Sequence, residues 1–409
     1  MLKNNLYETQ WKNYFRYLIS RNISKYSSTA FYVYFMWEII YHYHSLFLVS
    51  LVPAFSLLGY FIIVLPEGHL MDKYNRFKLF IIINIFLIII YSVLTINKSL
   101  LIIYIVDFFS SLISWVMYDN FHAITKEIVN KNDMNKAISI DQSVSGISEL
   151  SGIVSGGIFI FINYSYFVSF LIIISIIGLL LSLKYNVKGM YKRNNNASFK
   201  HVFIIIKKIY PFLIFSLILN GIFVSIDVFS SGLIYIIMKA SPIYYTLFIA
   251  GFPVGIILGG ILSVNKNVKK INDSMKIVGI YIFLLGILFI LIAINRIPIM
   301  DFVYSFSMGF TVILINIKLM SMVLNGIPNS ITGRFNSVTT LFSAGSSPLM
   351  AVVFGFLSGF IYFPYLIAAV GIITILMSFM INNIIKGFKN NMEKINDLYP
   401  ELKDENITN

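Results

Sequence analysis

Long apolar runs, broken by short polar clusters, follow one another along the whole chain. A helix crossing the hydrocarbon core of a bilayer needs about 20 mostly apolar residues. Runs of that length predict twelve spans, at 15–40, 45–66, 79–97, 99–121, 138–161, 164–184, 209–236, 242–264, 277–295, 298–324, 336–358 and 362–384. Stretches such as Leu79–Tyr91 lack the alternation of a membrane β-strand, so the spans are helices. The first and tenth runs exceed what a span needs and are expected to tilt or to extend past the lipid. The expected class is an all-α membrane protein with twelve transmembrane helices. The first run is too long for a signal-peptide core and lacks a small-residue cleavage pattern, so it is expected to stay as the first span.

Composition excludes the main alternatives. Of 409 residues, 58% are hydrophobic and only 12% are charged, and the mean hydropathy is +0.81. A soluble domain carries roughly 25% charged residues and cannot hide this much apolar surface. Disorder needs low hydrophobicity and is excluded as well. Cysteine is absent, which removes disulfides, zinc–thiolate centres and thiol nucleophiles.

The net charge of +13 points to nucleic acid or to a membrane surface, and the placement of the charges decides between them. With the N-terminus in the cytoplasm, only Lys98, Lys239 and Arg296 of the 31 basic residues fall on outer loops. Arg21, Lys25 and Lys318 lie inside spans, and the other 25 lie on inner segments. This is a strong positive-inside bias, with both termini cytoplasmic and an even number of spans. It accounts for the basicity without nucleic acid; a basic patch for lipid headgroups is the functional alternative.

The longest internal loop runs from Tyr185 to Lys208, is basic and contains no acid. It divides the chain into an N-terminal six-helix bundle (1–184), a cytoplasmic linker (185–208), a C-terminal six-helix bundle (209–384) and a cytoplasmic tail (385–409). Gly68 and Lys78 after the second span are matched by Gly259 and Lys269 after the eighth, an offset of 191. Repeated halves with the substrate site between them are how many secondary transporters are built.

Ionisable residues within spans are costly and mark pathways. They fall in the first span (Arg21, Lys25, Glu38), the fourth (Asp107, Asp119), the fifth (Asp141, Glu149), the seventh (Asp227) and the tenth (Asp301, Lys318). Steps of three and four residues put Arg21, Lys25, Ser28 and Tyr32 on one face of the first span. The same spacing groups Asp107, Ser111, Ser114 and Tyr118 on the fourth, and Asn220, Asp227 and Ser231 on the seventh. At 1.5 Å per residue, Lys25 and Glu149 lie about 15 Å along their spans, near the midplane. Glu149 is therefore expected to titrate during transport and to pair with Lys25 in one state. Asp107 and Asp227 are expected to receive a proton or a cationic group.

The loop after the second span reads Pro66-Glu67-Gly68-His69-Leu70-Met71-Asp72-Lys73-Tyr74-Asn75-Arg76-Phe77-Lys78. It resembles the loop signature of the major facilitator superfamily, G-x-x-x-D-(R/K)-x-G-x-(R/K)-(R/K). Gly68, Asp72 and Lys73 match it; Asn75 stands in place of a glycine, and Arg76 and Lys78 supply the basic end. The form P-x-G-x-x-x-D-K-x-x-R looks most like the efflux branch that holds macrolide-type and siderophore exporters. Asn130 to Ala137, Gly333-Arg334 and the fifth-span glycines fit that branch. Gly152-Ile153-Val154-Ser155-Gly156-Gly157 resembles the antiporter signature G-P-x-x-G-G, with Ile153 where the pattern has proline. Gly152, Gly156 and Gly157 would let helices pack closely.

The resemblance implies two pseudo-twofold bundles, with helices 1, 4, 7 and 10 lining a cavity and 3, 6, 9 and 12 facing lipid. It implies an inner-gate latch of Gly68, Asp72, Lys73 and Arg76 with Asp119. It also implies a monomer in the plasma membrane that needs neither metal nor organic cofactor. The function expected is proton-coupled efflux of a small amphipathic or drug-like molecule by alternating access. A proton-coupled nutrient importer is the alternative. No G-x-x-x-x-G-K-(S/T) phosphate loop is present in the sequence, so a gradient or a partner must drive the cycle. A polytopic membrane enzyme would need converging catalytic side chains, and five scattered histidines without an H-E-x-x-H motif do not supply them.

Overall fold

The structure is a computed structural model that describes residues 2–63, 75–129, 133–183, 199–263, 276–326 and 332–398. Side chains at 2–10, 199–205, 332–344, 393–398 and a few further helix-end positions lie outside the description. The described residues form twelve long helices and no strand. These are α1 (Leu2–Tyr43), α2 (Leu46–Ile63), α3 (Arg76–Ile96), α4 (Leu100–Ile128), α5 (Met134–Phe159) and α6 (Tyr164–Ser182) in the first half. The second half holds α7 (Phe199–Gly232), α8 (Pro242–Ser263), α9 (Ile277–Ile294), α10 (Pro298–Gly326), α11 (Thr332–Leu357) and α12 (Phe363–Leu398). A π-helical turn at Leu233–Ile237 ends α7.

Local chemistry sets the helix ends. Asn75 caps α3: its side-chain oxygen accepts from the Phe77 and Lys78 amides at 3.0 and 3.2 Å. These are orphan donors of the first turn. Its φ of −63° is extended backbone, so the residue that replaces the signature's glycine needs no left-handed conformation. Asn163 caps α6 through the Ser165 amide. The turns closing α1–α2 and α7–α8 each hold one left-handed residue, His44 (φ 51°) and Lys239 (φ 50°).

Nine of the described helices are long and apolar enough to cross a membrane on composition alone, and Gly345–Leu357 within α11 is a shorter apolar helix. The two most informative exceptions are α1 and α5. They carry Arg21, Lys25, Asp141 and Glu149, and they pack against each other along their lengths. Helices too polar to face lipid alone can cross when they satisfy one another.

The chain divides into two compact units, Met1–Asn194 and Asn195–Asn409. In the first, α1 is central and packs on α5, α4, α6 and α2, while α3 packs on α4 and α6, and α2 on α4. In the second, α7 packs on α11, α12 and α8, α9 on α10 and α12, and α8 on α10. Except for α1–α4, the first pattern recurs six helices later. The register recurs as well. Tyr26 and Ser155 share a hydroxyl hydrogen bond between α1 and α5. Ser346 of α11 donates to the Leu217 carbonyl of α7 at 2.7 Å. Both members are displaced by 191 residues, the offset between Gly68 and Gly259.

Close helix approach is set by glycine at a few points. A Cβ on Gly255 of α8 would run into the Phe306 carbonyl oxygen, and one on Gly309 of α10 into that of Phe252. Large apolar side chains are exposed along α3 (Ile82, Phe86, Ile89), α6 (Ile173, Ile177, Leu180), α9 (Ile280, Leu284) and α12 (Leu376, Phe379, Met380). These rows suit a lipid-facing surface.

Helix α12 does not stop where its apolar run ends. It continues through Leu398, and Ile385, Phe388 and Met392 are buried at 3%, 2% and 2% exposure. Their spacing keeps one apolar face on the bundle. The Phe388 ring meets Phe212 of α7 at 5.1 Å. The first half of the tail is therefore a docked helix. Likewise, the last ten residues of the basic linker region, from Phe199, are the start of α7.

Candidate functional site

Polar side chains of the first bundle gather where α1, α4 and α5 meet. Arg21 and Lys25, one turn apart on α1, face α5, where Asp141, Ser145 and Glu149 follow at steps of four. The helices run parallel, and the Tyr14 hydroxyl donates to the Ala137 carbonyl at 2.6 Å. Gly152 and Gly156 hold α5 against α1 higher up. A Cβ there would lie 2.7 Å from the Tyr26 carbonyl oxygen and 2.6 Å from that of Ala30. Gly157 is buried beside them.

Two ion pairs with different surroundings result. Arg21 donates to Asp141 Oδ1 at 2.8 Å, and the two side chains are only 3% and 2% exposed. The guanidinium also lies 4.4 Å from the centre of the Tyr118 ring of α4, a cation–π contact. His122 Nε2 stands 3.7 Å from Asp141 Oδ2, which has no hydrogen-bond partner among the described residues. One turn along, Lys25 Nζ donates to Glu149 Oε2 at 2.6 Å and to Ser145 Oγ at 2.9 Å. This second pair is open, with side chains 31% and 38% exposed. The second pair is thus accessible at the surface of the first bundle, where a charge could not economically face acyl chains.

Asp107 of α4 is enclosed at 3% exposure, with Oδ2 unpartnered among the described residues. Its neighbour on the polar stripe, Ser111, donates to the Ser56 carbonyl of α2. Further along α4, Ser114 shares a hydrogen bond with Ser24 of α1 at 2.9 Å. The stripe therefore serves two neighbours, α2 at Ser111 and α1 at Ser114. In the second unit Asp227 is half-buried, Ser231 is fully buried and Asn220 is exposed, so the stripe expected on α7 divides between environments. Asp301 is fully buried and accepts from Asn295 at 2.7 Å, at the start of α10.

Gly68, Asp72 and Lys73 lie outside the described residues. Arg76 begins α3, and its carbonyl accepts from Asn120 of α4 at 2.8 Å, which ties these two helix ends together. Asp119 is half-buried on α4 beside that contact. Sequence reasoning counted Asp141 as an intramembrane charge but gave it no partner, and it passed over His122 and Ser145. The signal was present: 141, 145 and 149 repeat the four-residue step of 21 and 25. At the offset of 191 the second half has Phe212, Ser216, Thr332 and Thr340 in place of Arg21, Lys25, Asp141 and Glu149. Among the described residues, the paired charges lie in the first bundle. No cluster of three or more metal-ligating side chains occurs among the described residues.

Twelve spanning helices in repeated sixes, with charges paired between two of them, define a polytopic membrane carrier. The description of the Major Facilitator Superfamily matches residues 18–350. The chain belongs to that superfamily and is a membrane transporter rather than an enzyme. Its fold is similar to the crystal structure of the nucleoside transporter NupG, with a TM-score of 0.73 at 14% identity, covering 91% of this chain and 99% of that one. It is also similar to a POT family transporter in complex with 5-aminolevulinic acid, with a TM-score of 0.71 at 12% identity and coverage of 92% and 96%. A bacterial homolog of the human lysosomal transporter Spinster, inward-facing and unoccupied, gives 0.67 at 14% identity, with coverage of 96% and 94%. At these identities the likeness is one of fold. No curated protein matches the sequence.

Proposed function

We propose that this protein is a secondary active transporter of the plasma membrane that exports a small amphipathic or drug-like molecule against proton entry, by alternating access. The observation that carries the reading is the open Lys25–Glu149 pair. A charge inside a span is costly unless it is paired, so a carboxylate that loses its cation is a site that a proton can neutralise. A helix movement that separates Lys25 from Glu149 would thereby couple conformation to protonation. Arg21–Asp141, enclosed and doubly braced, holds α1 to α5 while the upper pair opens. Asp107 and Asp227 are further proton or cation acceptors. Gly68, Asp72, Lys73 and Arg76, with Asp119, form the latch that closes the inner side. Both termini are cytoplasmic, and the working unit is a monomer.

The efflux assignment rests on the loop signature, with support from the Gly152–Gly157 stretch packed on α1. The test is transport in sealed vesicles of both orientations, screened with aromatic amphipathic compounds, with and without an imposed pH gradient. Accumulation in inside-out vesicles that are acid inside is expected, with collapse on adding a protonophore. Accumulation only in right-side-out vesicles would replace export with import, and indifference to the gradient would remove the proton.

A further inference from the structure

Helices α4 and α5 each pack on α1 but not along one another, which leaves a seam between them over the polar face of α1. Among the described residues, two contacts bridge it. The Tyr118 hydroxyl of α4 interacts with the Gln142 side chain of α5. One turn along α4, His122 Nε2 stands 3.7 Å from Asp141 Oδ2. Tyr118 and His122 share a helix face, and their rings meet edge-on at 4.4 Å.

The Asp141 carboxylate is only half used. Arg21 takes Oδ1 at 2.8 Å, whereas Oδ2 is buried without a hydrogen-bond partner among the described residues. A buried acceptor left without a donor is costly, and His122 is aimed at this one. At 3.7 Å the two are within electrostatic range but beyond hydrogen-bond length. The His122 side chain is 31% exposed while that of Asp141 is sealed at 2%, so a proton from the medium can reach the ring but not the carboxylate. Imidazole changes charge between about pH 5 and 8.

The charged and titratable groups around this contact are Arg21 and Tyr14 from α1, Asp141 from α5, and Tyr118 and Asp119 from α4 itself. The Arg76 end of α3 meets α4 at Asn120. The side chain of Lys126, one turn past His122, lies outside the described residues. Lys25 and Glu149 stand one and two turns along from Arg21 and Asp141. Arg21 and Asp141 already balance each other, so a protonated ring brings the donor and the charge that Oδ2 lacks.

We infer that His122 is a second proton-binding residue of this transporter, and that its protonated ring hydrogen-bonds Asp141 Oδ2 and draws the end of α4 onto α5. The proton completes the two N–H donors of the ring, and Nε2–H donates to Oδ2. Loss of the proton undoes the contact and reopens the seam. The seam leads along α1 to the Lys25–Glu149 pair, so the state of His122 controls access to that pair. The inference does not depend on Glu149 carrying the coupling proton.

The test uses the purified full chain in neutral detergent. The native sequence has no cysteine, so a single Gln142→Cys change, exposed on α5 beside Asp141, reports on the seam through its rate of reaction with a bulky methanethiosulfonate reagent. The same change removes the Tyr118 contact and leaves the His122 contact under test. Ser143→Cys, exposed at the next position, corrects for the pH dependence of the thiol itself. The ratio of the two rates is expected to fall about threefold or more between about pH 8 and about pH 5.5. Adding His122→Gln, or Asp141→Asn, should abolish that fall. A ratio that does not change with pH, or a fall that persists with His122→Gln, would overturn the inference. If Asp141→Asn does not fold, His122→Gln decides alone, because it leaves the Arg21–Asp141 bond in place. The fall is expected to persist with Glu149→Gln; its loss there would assign the response to Glu149 and overturn the role of His122.

Discussion

Replacing Asp141 with alanine should damage this protein far more than replacing Glu149 with glutamine, although both changes break an ion pair between the same two helices. Asp141 and Arg21 are almost sealed from solvent, at 2% and 3% exposure, and are joined at 2.8 Å. Removing one partner of such a pair strands a buried charge, at a cost of about 3 to 5 kcal/mol. Arg21 keeps Asn22 Oδ1 at 3.3 Å and the Tyr118 ring at 4.4 Å, which offset part of that and place the expectation near the lower figure. Glu149 and Lys25 are about a third open, so solvent screens them and the pair contributes at most ~1 kcal/mol. Thermal unfolding of the purified protein in detergent, followed by size-exclusion recovery, should show a large fall for Asp141→Ala and a small one for Glu149→Gln. The double variant Arg21→Met/Asp141→Leu removes both charges and should recover much of the loss. Equal losses at the two acids, or a double variant worse than Asp141→Ala by the full effect of Arg21→Met, would refute the assignment of a buried, mutually dependent pair.

Two packing predictions follow from the same geometry. Gly156→Leu drives side-chain atoms into the Ala30 carbonyl of α1, where even a Cβ would sit 2.6 Å from the oxygen, and should abolish recovery of folded protein. Gly387→Ala, with nothing within 4 Å, should leave recovery unchanged or slightly raised in the same assay. Phe388→Ala empties a buried position between α12 and α7 and should cost about 3 kcal/mol, read as a lowered melting temperature.

The fold was legible in the sequence because the bilayer leaves few alternatives. Each span must satisfy its own backbone, so a long apolar run can only be a helix. Runs and helices therefore coincide to within a few residues across most of the chain, as at 277–295 and Ile277–Ile294. Differences arise where packing overrides hydropathy. The lysines after Met380 read as a tail, yet Ile385, Phe388 and Met392 return every three or four residues and carry α12 onward against α7. The site was legible as a set of costly charges, but not as pairs. Helical spacing says which residues share a face; it does not say how α1 and α5, some 120 positions apart, are rotated and set in register. Gly152 and Gly156 fix that register, and with it Arg21 meets Asp141 while Lys25 meets Glu149. Asn75 shows the same limit locally: what read as a glycine substitute in a signature is a helix cap.

On the proposed reading, Glu149 carries the coupling proton once Lys25 has moved away from it. In vesicles loaded with a transported compound from the screen, Glu149→Gln should still exchange labelled for unlabelled compound across the membrane, since exchange needs no net proton movement. The same variant should fail to accumulate the compound when a pH gradient is imposed. Gradient-driven accumulation by Glu149→Gln at the wild-type rate would contradict the account.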